Sequence, residues 1–289
     1  LRTVSGYISL YLSATMFAVV TLLVRISSRY YDSAFMSASR FAIGAIICLA
    51  VLYFGYGTVK PVKPGLLVFR GAFGALSMVA GYAAIALSGP GRATVLSNTY
   101  PLFVAVFGAL FFGERFRIRT LGSIALCLAG AVLIARDGSG ASLAGDLLAV
   151  VSSLSAGMAV NIIRRASAYE NPFMIYLSPC LFGLPLFFFV NPAVQVTAGG
   201  LAGLALLLAI GSGAVIAQAL MGHGYKTVSA GAGSVVFYWE TVLTVILAVL
   251  FTGESANARF IAGLVIIMVG LRVNQGSGPR AKDVKNRAD

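Results

Sequence analysis

An all-α membrane fold of ten transmembrane helices, arranged as two inverted five-helix repeats, is the architecture that this sequence predicts, and three observations predict it. Of 289 residues, 59% are hydrophobic and only 10% are charged, against roughly 45–50% and about 25% in ordinary soluble domains, and so few charges cannot cover a water-soluble surface. The apolar residues gather into blocks of roughly 20, about the length a helix needs to cross a bilayer. The chain also repeats itself: "YPLFVAVFGALFFGE" (Tyr100–Glu114) returns as "ETVLTVILAVLFTGE" (Glu240–Glu254), with the same Gly-Glu ending.

The first five blocks span residues 6–27, 33–54, 65–87, 93–112 and 118–135, and the second five 145–165, 172–190, 200–223, 230–251 and 258–274. Short stretches holding Gly, Pro, Asn or charge separate them and stop each helix. Loops near 55–64 and 136–144 are the longest, the second carrying the flexible connector "GSGASLAG". No block pair leaves room for a soluble domain, so any chemistry falls to the helices. The first block is too long for a cleavable signal and lacks its flanks. Three organisational units follow: 1–139, 140–275, and a basic cytoplasmic tail at 276–289.

Ten crossings put both termini on one side, and the Lys and Arg then say which. Fifteen fall in the loop set containing the termini, with Arg70 counted there, and five (Arg25, Arg29, Arg92, Arg136 and Arg259) in the other, while Arg40 lies within a span. The basic side faces the cytoplasm, so the expected location is the cell inner membrane with both termini cytoplasmic. The net charge of +12 is thereby a topology signal, and no nucleic-acid partner is expected. Cys48, Cys127 and Cys180 all lie in apolar blocks and read as small buried hydrophobes. No disulfide, metal or cofactor is expected.

Displacing the chain along itself by 139 aligns Gly6 with Gly145, Ser13 with Ser152, Gly44 with Gly183 and Gly74 with Gly213; displacing it by 140 aligns Gly113 with Gly253, Glu114 with Glu254 and Gly130 with Gly270. Five is odd, so the second copy enters the membrane upside down, and the halves are related by a pseudo-two-fold axis in the membrane plane. Halves that exchange slightly different shapes open a central pathway first to one side and then to the other. That is a transporter's geometry, and an enzyme does not require it.

The segment from Pro101 closing on "FFGER" and followed by "GSIALCLAGAVLI", with its echo "LFTGES" followed by "GLVIIMVG", resembles the drug/metabolite transporter superfamily and within it the ten-helix EamA-type exporters. The resemblance covers nearly the whole chain and implies a carrier of small metabolites such as amino acids, nucleotide sugars, triose phosphates or organic acids. The second repeat of such proteins often carries Glu-Pro in its ninth helix; here the pair is Glu240-Thr241, which removes the proline that would kink that helix.

Ionisable groups in hydrocarbon are costly and face an interior or a water-filled cavity. Glu240, about ten residues into its block, either hydrogen-bonds between helices or contacts substrate or protons. Arg40, about seven residues into the second block, either pairs with Glu240 or holds a substrate carboxylate bidentately. Tyr238 and Trp239 adjoin Glu240 in "SVVFYWET", and "SNTYP" supplies Asn98, Tyr100 and Pro101 in the first repeat. The two stretches are expected to face each other, as an aromatic-walled pocket or as plain helix packing. Pro101 loosens the backbone locally. Ser153, Gly157 and Asn161 share one helix face, which suits close packing and leaves Asn161 a candidate for lining the route. His223 is the only histidine, a candidate gate near a cytoplasmic end. Glu240 and Pro101 join it as gate or coupling candidates. Gly71 and Ala75 suggest close helix contact, and Glu114 and Glu254 read as turn or capping residues.

A membrane enzyme would need a nucleophile with its base, paired carboxylates or a metal cluster, and no G-x-S-x-G, H-E-x-x-H or P-loop pattern is present. The expectation is therefore a secondary transporter, working by alternating access on a small-molecule substrate in a lipid environment, as a monomer or homodimer. Amino acids are the leading substrate class, since one acid and one base near aromatic groups suit a zwitterion. An organic-anion or phosphorylated-metabolite carrier using Arg25, Arg40 or Arg92 is the alternative.

Overall fold

A computed structural model describes residues 2–27, 30–31, 33–56, 60–88, 93, 96–114, 118–134, 142–190, 199–252 and 258–275. The tail 276–289, Glu254 and Arg92 lie outside them. All regular structure among the described residues is helical: α1 (Arg2–Ser27), α2 (Ser33–Val51), α3 (Pro64–Ser88), α4 (Tyr100–Phe111), α5 (Ile118–Ile134), α6 (Leu143–Ala166), α7 (Pro172–Val190), α8 (Gly200–Gly224), α9 (Ala230–Val236), α10 (Tyr238–Thr252) and α11 (Ala258–Gln275). The turn Leu52–Tyr56 ends α2 at Gly55, whose φ of 92° a side chain would resist.

Local chemistry explains the ends. Pro64 opens α3 where its missing N–H is not needed. Ser142 accepts from the Gly145 N–H at the start of α6, with Asp146 in the first turn and Arg164 and Arg165 in the last, charges that suit the helix dipole. Among the described residues, five helices are long and apolar enough to cross a membrane: those within Thr3–Val24, Phe35–Gly55, Pro64–Ala84, Leu143–Ala166 and Gly200–Gly224. Their outer faces are apolar at helical spacing, as in Val4, Ile8 and Leu12 of α1 and Leu201, Leu204 and Leu208 of α8, all more than half exposed. A face of this kind is built for lipid. The molecule is a multi-pass membrane protein.

The expected fourth and ninth blocks are not single helices. A turn at Asn98–Thr99 precedes α4, which has only 12 residues, about 18 Å of rise. The ninth block breaks at Phe237, where the Phe237 N–H donates to Ser234 O and the Glu240 N–H to Phe237 O. These i to i−3 bonds tighten the backbone into a turn between α9 and α10. The helix is thus interrupted at Phe237 without a proline at position 241.

Packing repeats with the halves exchanged. α1 lies along α8 and α3 along α6; α2 touches α8 and α3 touches α7; α1 contacts α10 and α4 contacts α6, while α2 meets α7 and α5 meets α11. Single bonds obey the same exchange. Ser13 Oγ donates to Ala217 O at 2.7 Å and Ser152 Oγ donates to Ser77 O at 2.7 Å, and both donor and acceptor pairs match at a displacement of 139 or 140. Glycine admits the close approaches. A methyl group on Gly130 would lie 2.6 Å from Gly263 O, and one on Gly270 2.5 Å from Cys127 Sγ. Gly71 faces Phe182 across α3 and α7, and its mate Gly211 faces Ile43, the mate of Phe182. Ala75 is 1% exposed, in keeping with a tight contact there.

The main core cluster draws Leu10, Phe41, Val104, Ile163 and Tyr176 from five helices and Tyr225 from the turn after α8, and a second cluster joins Ile124, Cys127, Val235, Tyr238, Val242 and Ile267 around α5, α9, α10 and α11. The three cysteines are buried and unbridged.

Candidate substrate site

The break in the second repeat and the turn in the first meet. Tyr238 Oη donates to Asn98 O at 2.7 Å, and Tyr100 Oη lies 3.4 Å from Ser234 O. Each phenol thus reaches the backbone that flanks the other repeat's turn, where carbonyls have left regular helical pairing. Pro101, buried in the first turn of α4, cannot donate an N–H. Thr99 Oγ1 hydrogen-bonds Leu96 O and shares a hydrogen bond with Ser153 Oγ, each at 2.7 Å, which ties the turn to α6.

Aromatic groups gather at the break beside Glu240. Trp239 Nε1 donates to Thr15 Oγ1 at 3.2 Å, and its ring meets Tyr11 edge-on at 6.2 Å. Phe17 lies 6.2 Å from Phe237 at the break, and the Arg40 guanidinium sits 5.6 Å from the centre of the same Phe17 ring. Glu240 falls in the first turn of α10, where the positive end of the helix dipole favours a carboxylate. Phe17 thus joins the Arg40 guanidinium to the Phe237 side of the break, which brings the base of one half to the region where the acid of the other half stands.

The other candidate residues separate from this cluster. Asn161 is 1% exposed, and its amide donates to Val104 O and Gly157 O, each at 3.0 Å. It braces α6 against α4, with Gly157 giving way to Phe103. His223 is exposed in the last turn of α8. Glu114 is a cap, though for a different helix from the one it follows: its carboxylate accepts from the Ala230 N–H at 2.9 Å and lies 3.4 Å from the Gly231 nitrogen, at the start of α9. Gly113, at φ 64°, turns the chain so that Glu114 can do this.

Arg70 is the largest departure from the sequence reading. Counted with the loops, it lies instead in the second turn of α3, six residues or about 9 Å in from Pro64, and is 4% exposed. Arg70 Nη2 is 3.4 Å from Gln218 Oε1 of α8, and its guanidinium folds over Gly74. The signal available in the sequence was an arginine between "LLVF" and "GAFGAL", inside the boundary rather than at it. Tyr176 and Gln218 went unnoticed too, since nothing local marks a buried tyrosine or glutamine in an apolar helix.

Comparison with known proteins decides the family. The EamA-like transporter family pattern matches residues 4–136 and again residues 143–274. The chain belongs to the EamA-like transporter family. Among curated proteins, this EamA-like transporter is 33% identical over 275 residues to a pseudopaline exporter of Pseudomonas aeruginosa, covering 92% of this chain and 94% of that protein. It is 25% identical over 189 residues to solute carrier family 35 member G1 of Mus musculus, covering 60% of this chain and 51% of that one. A solved crystal structure superimposes with a TM-score of 0.75 over 94% of this chain and 95% of its own, at 20% identity, a likeness of fold alone. The protein is a metabolite transporter and not an enzyme.

Proposed function

We propose that this transporter exports small zwitterionic metabolites, amino acids the leading class, across the cell inner membrane by alternating access between two inverted five-helix halves. The halves are residues 1–139 and 140–275, ten crossings in all, with both termini cytoplasmic. One observation carries the reading: an acid, Glu240, stands at the break of one half, and a base, Arg40, supplied by the other half lies over Phe17, the ring that packs on Phe237 at that break. A zwitterion needs both signs, and a site shared by two halves changes shape when the halves move. The Tyr238–Asn98 and Tyr100–Ser234 contacts supply a hinge region next to it, and the exchanged serine bonds of α1–α8 and α3–α6 support the two-fold relation.

In this reading Glu240 receives the substrate's ammonium group and Arg40 its carboxylate, while Trp239, Tyr238 and Tyr100 wall the site. The relative named as a pseudopaline exporter agrees with export as the direction. A charge-assisted hydrogen bond contributes about 1.5–3 kcal/mol, so Glu240→Gln should slow counterflow of labelled amino acids into proteoliposomes about tenfold or more and alter its dependence on pH. Unchanged rates at two pH values would remove Glu240 from the mechanism. An organic-anion carrier is the second reading, favoured by the buried Arg70.

A further inference from the structure

The cations of the interior outnumber the acid set against them. Arg70 of α3 and Arg40 of α2 both lie on helices packed against α7, on the side that carries Tyr176 and Cys180. The packing is close: a methyl on Gly44, one turn beyond Arg40, would touch Cys180 Sγ at 3.0 Å and Tyr176 Cε1 at 3.1 Å, while Gly74, under the Arg70 guanidinium, faces Pro179. Gln218 closes the cluster from α8. Four helices from both halves therefore converge on two guanidinium groups.

The protein leaves part of each group unsatisfied. Arg70 Nε, Arg40 Nε and the Tyr176 hydroxyl are all buried without a hydrogen-bond partner, and Tyr176 is 1% exposed. The Arg70 guanidinium reaches only the neutral Gln218 among the described residues, at a long 3.4 Å. Burying an arginine without a counter-charge is among the costliest arrangements a fold can keep, and two like charges held together raise the cost. A planar, multiply donating guanidinium is matched by a carboxylate, which accepts two parallel N–H bonds, and the tyrosine hydroxyl adds a third donor. Glu240 answers one positive charge; the other is left for the cargo.

We propose that Arg70, with Tyr176 beside it, forms an anion subsite that takes a second carboxylate of the substrate, the first remaining with Arg40, so that the favoured cargo is an amino acid bearing an extra carboxylate. This deepens the zwitterion reading and rests on it. The test uses purified protein in proteoliposomes and three probes of matched size: glutamate, glutamine, which lacks the second carboxylate, and glutarate, which lacks the amine. Glutamate should show a KM at least tenfold below that of glutamine. Arg70→Gln should raise the glutamate KM about tenfold or more while leaving that of glutamine within about twofold, and Arg70→Lys should recover part of the difference. Equal KM values for glutamate and glutamine in the unaltered protein overturn the subsite and leave the zwitterion reading standing; failure to carry any amine-bearing probe, with or without glutarate transport, overturns both. Should Arg70→Gln fail to fold, thermal stabilisation of the unaltered protein in detergent decides: glutamate must raise the melting temperature at concentrations where glutamine does not, and equal or absent shifts refute the subsite.

Discussion

Removing the Glu114 carboxylate tests whether the two halves are latched where α9 begins. The carboxylate belongs to the turn after α4 and accepts from the Ala230 N–H at 2.9 Å, with the Gly231 nitrogen at 3.4 Å, so it holds an N-terminus of the opposite half. Only the first contact has good geometry. A hydrogen bond to a charged acceptor contributes about 1.5–3 kcal/mol, against about 0.5–1.5 kcal/mol for a neutral one. Glu114→Ala should therefore lose about 2 kcal/mol, and Glu114→Gln, which keeps an acceptor, about 1 kcal/mol. On the scale of domains this size, each kcal/mol moves the melting temperature by roughly 2–4 °C, so the alanine variant should melt about 4–8 °C lower and the glutamine variant about half as much lower.

Function gives a second readout of the same bond. If the latch forms in one access state and opens in the other, 2 kcal/mol shifts their ratio about thirtyfold, and the alanine variant should change its counterflow rate while glutamine changes it less. The assay is a melting curve in detergent followed by the fluorescence of Trp239, the only tryptophan, which stands beside the break. An alanine variant with an unaltered melting point and unaltered counterflow would refute the latch.

Other outcomes follow from the packing. Ser13→Ala and Ser152→Ala remove the paired α1–α8 and α3–α6 bonds; each should cost about 0.6 kcal/mol, and at most about 1.7. The two costs should add within about 0.5 kcal/mol in a double variant, as measured by denaturation in detergent. Gly130→Leu drives a side chain into Gly263 O and Ile267. It should cost about 3 kcal/mol or more by overpacking and separate α5 from α11, which loss of monodispersity in gel filtration would register.

The repeat was legible because packing glycines and serines cannot drift far: a residue that lets two backbones meet must recur wherever the same approach recurs. Ser13 and Ser152, or Gly130 and Gly270, align in the sequence and occupy matching positions in the fold. Apolar block length likewise marked most of the helices to within a few residues, the fourth and ninth blocks excepted. The breaks were harder to read, because a turn at Phe237 made by two i to i−3 bonds leaves no glycine or proline behind it. Arg70 was missed for a related reason: six residues into a helix is where snorkelling and burial look alike in a sequence, and only the neighbouring helices decide which occurs.

The symmetric and the chemical parts of the molecule are different residues, and that division bears on mechanism. At the displacements that superimpose the serine bonds, Arg40 falls on Pro179, Arg70 on Ile210 and Glu240 on Tyr100. The frame is duplicated while each charge exists once. On the proposed alternating-access mechanism, two-fold packing would let the halves trade conformations at little net cost, since every interface that opens in one half would have a counterpart that closes in the other. A charge without a mate cannot be exchanged in that way, so under this proposal Arg40, Arg70 and Glu240 would stay as one set of fixed groups around which both halves move. The cargo would then meet the same charges from either side of the membrane, and the proposed export would be driven by the gradients rather than by a difference between two binding sites.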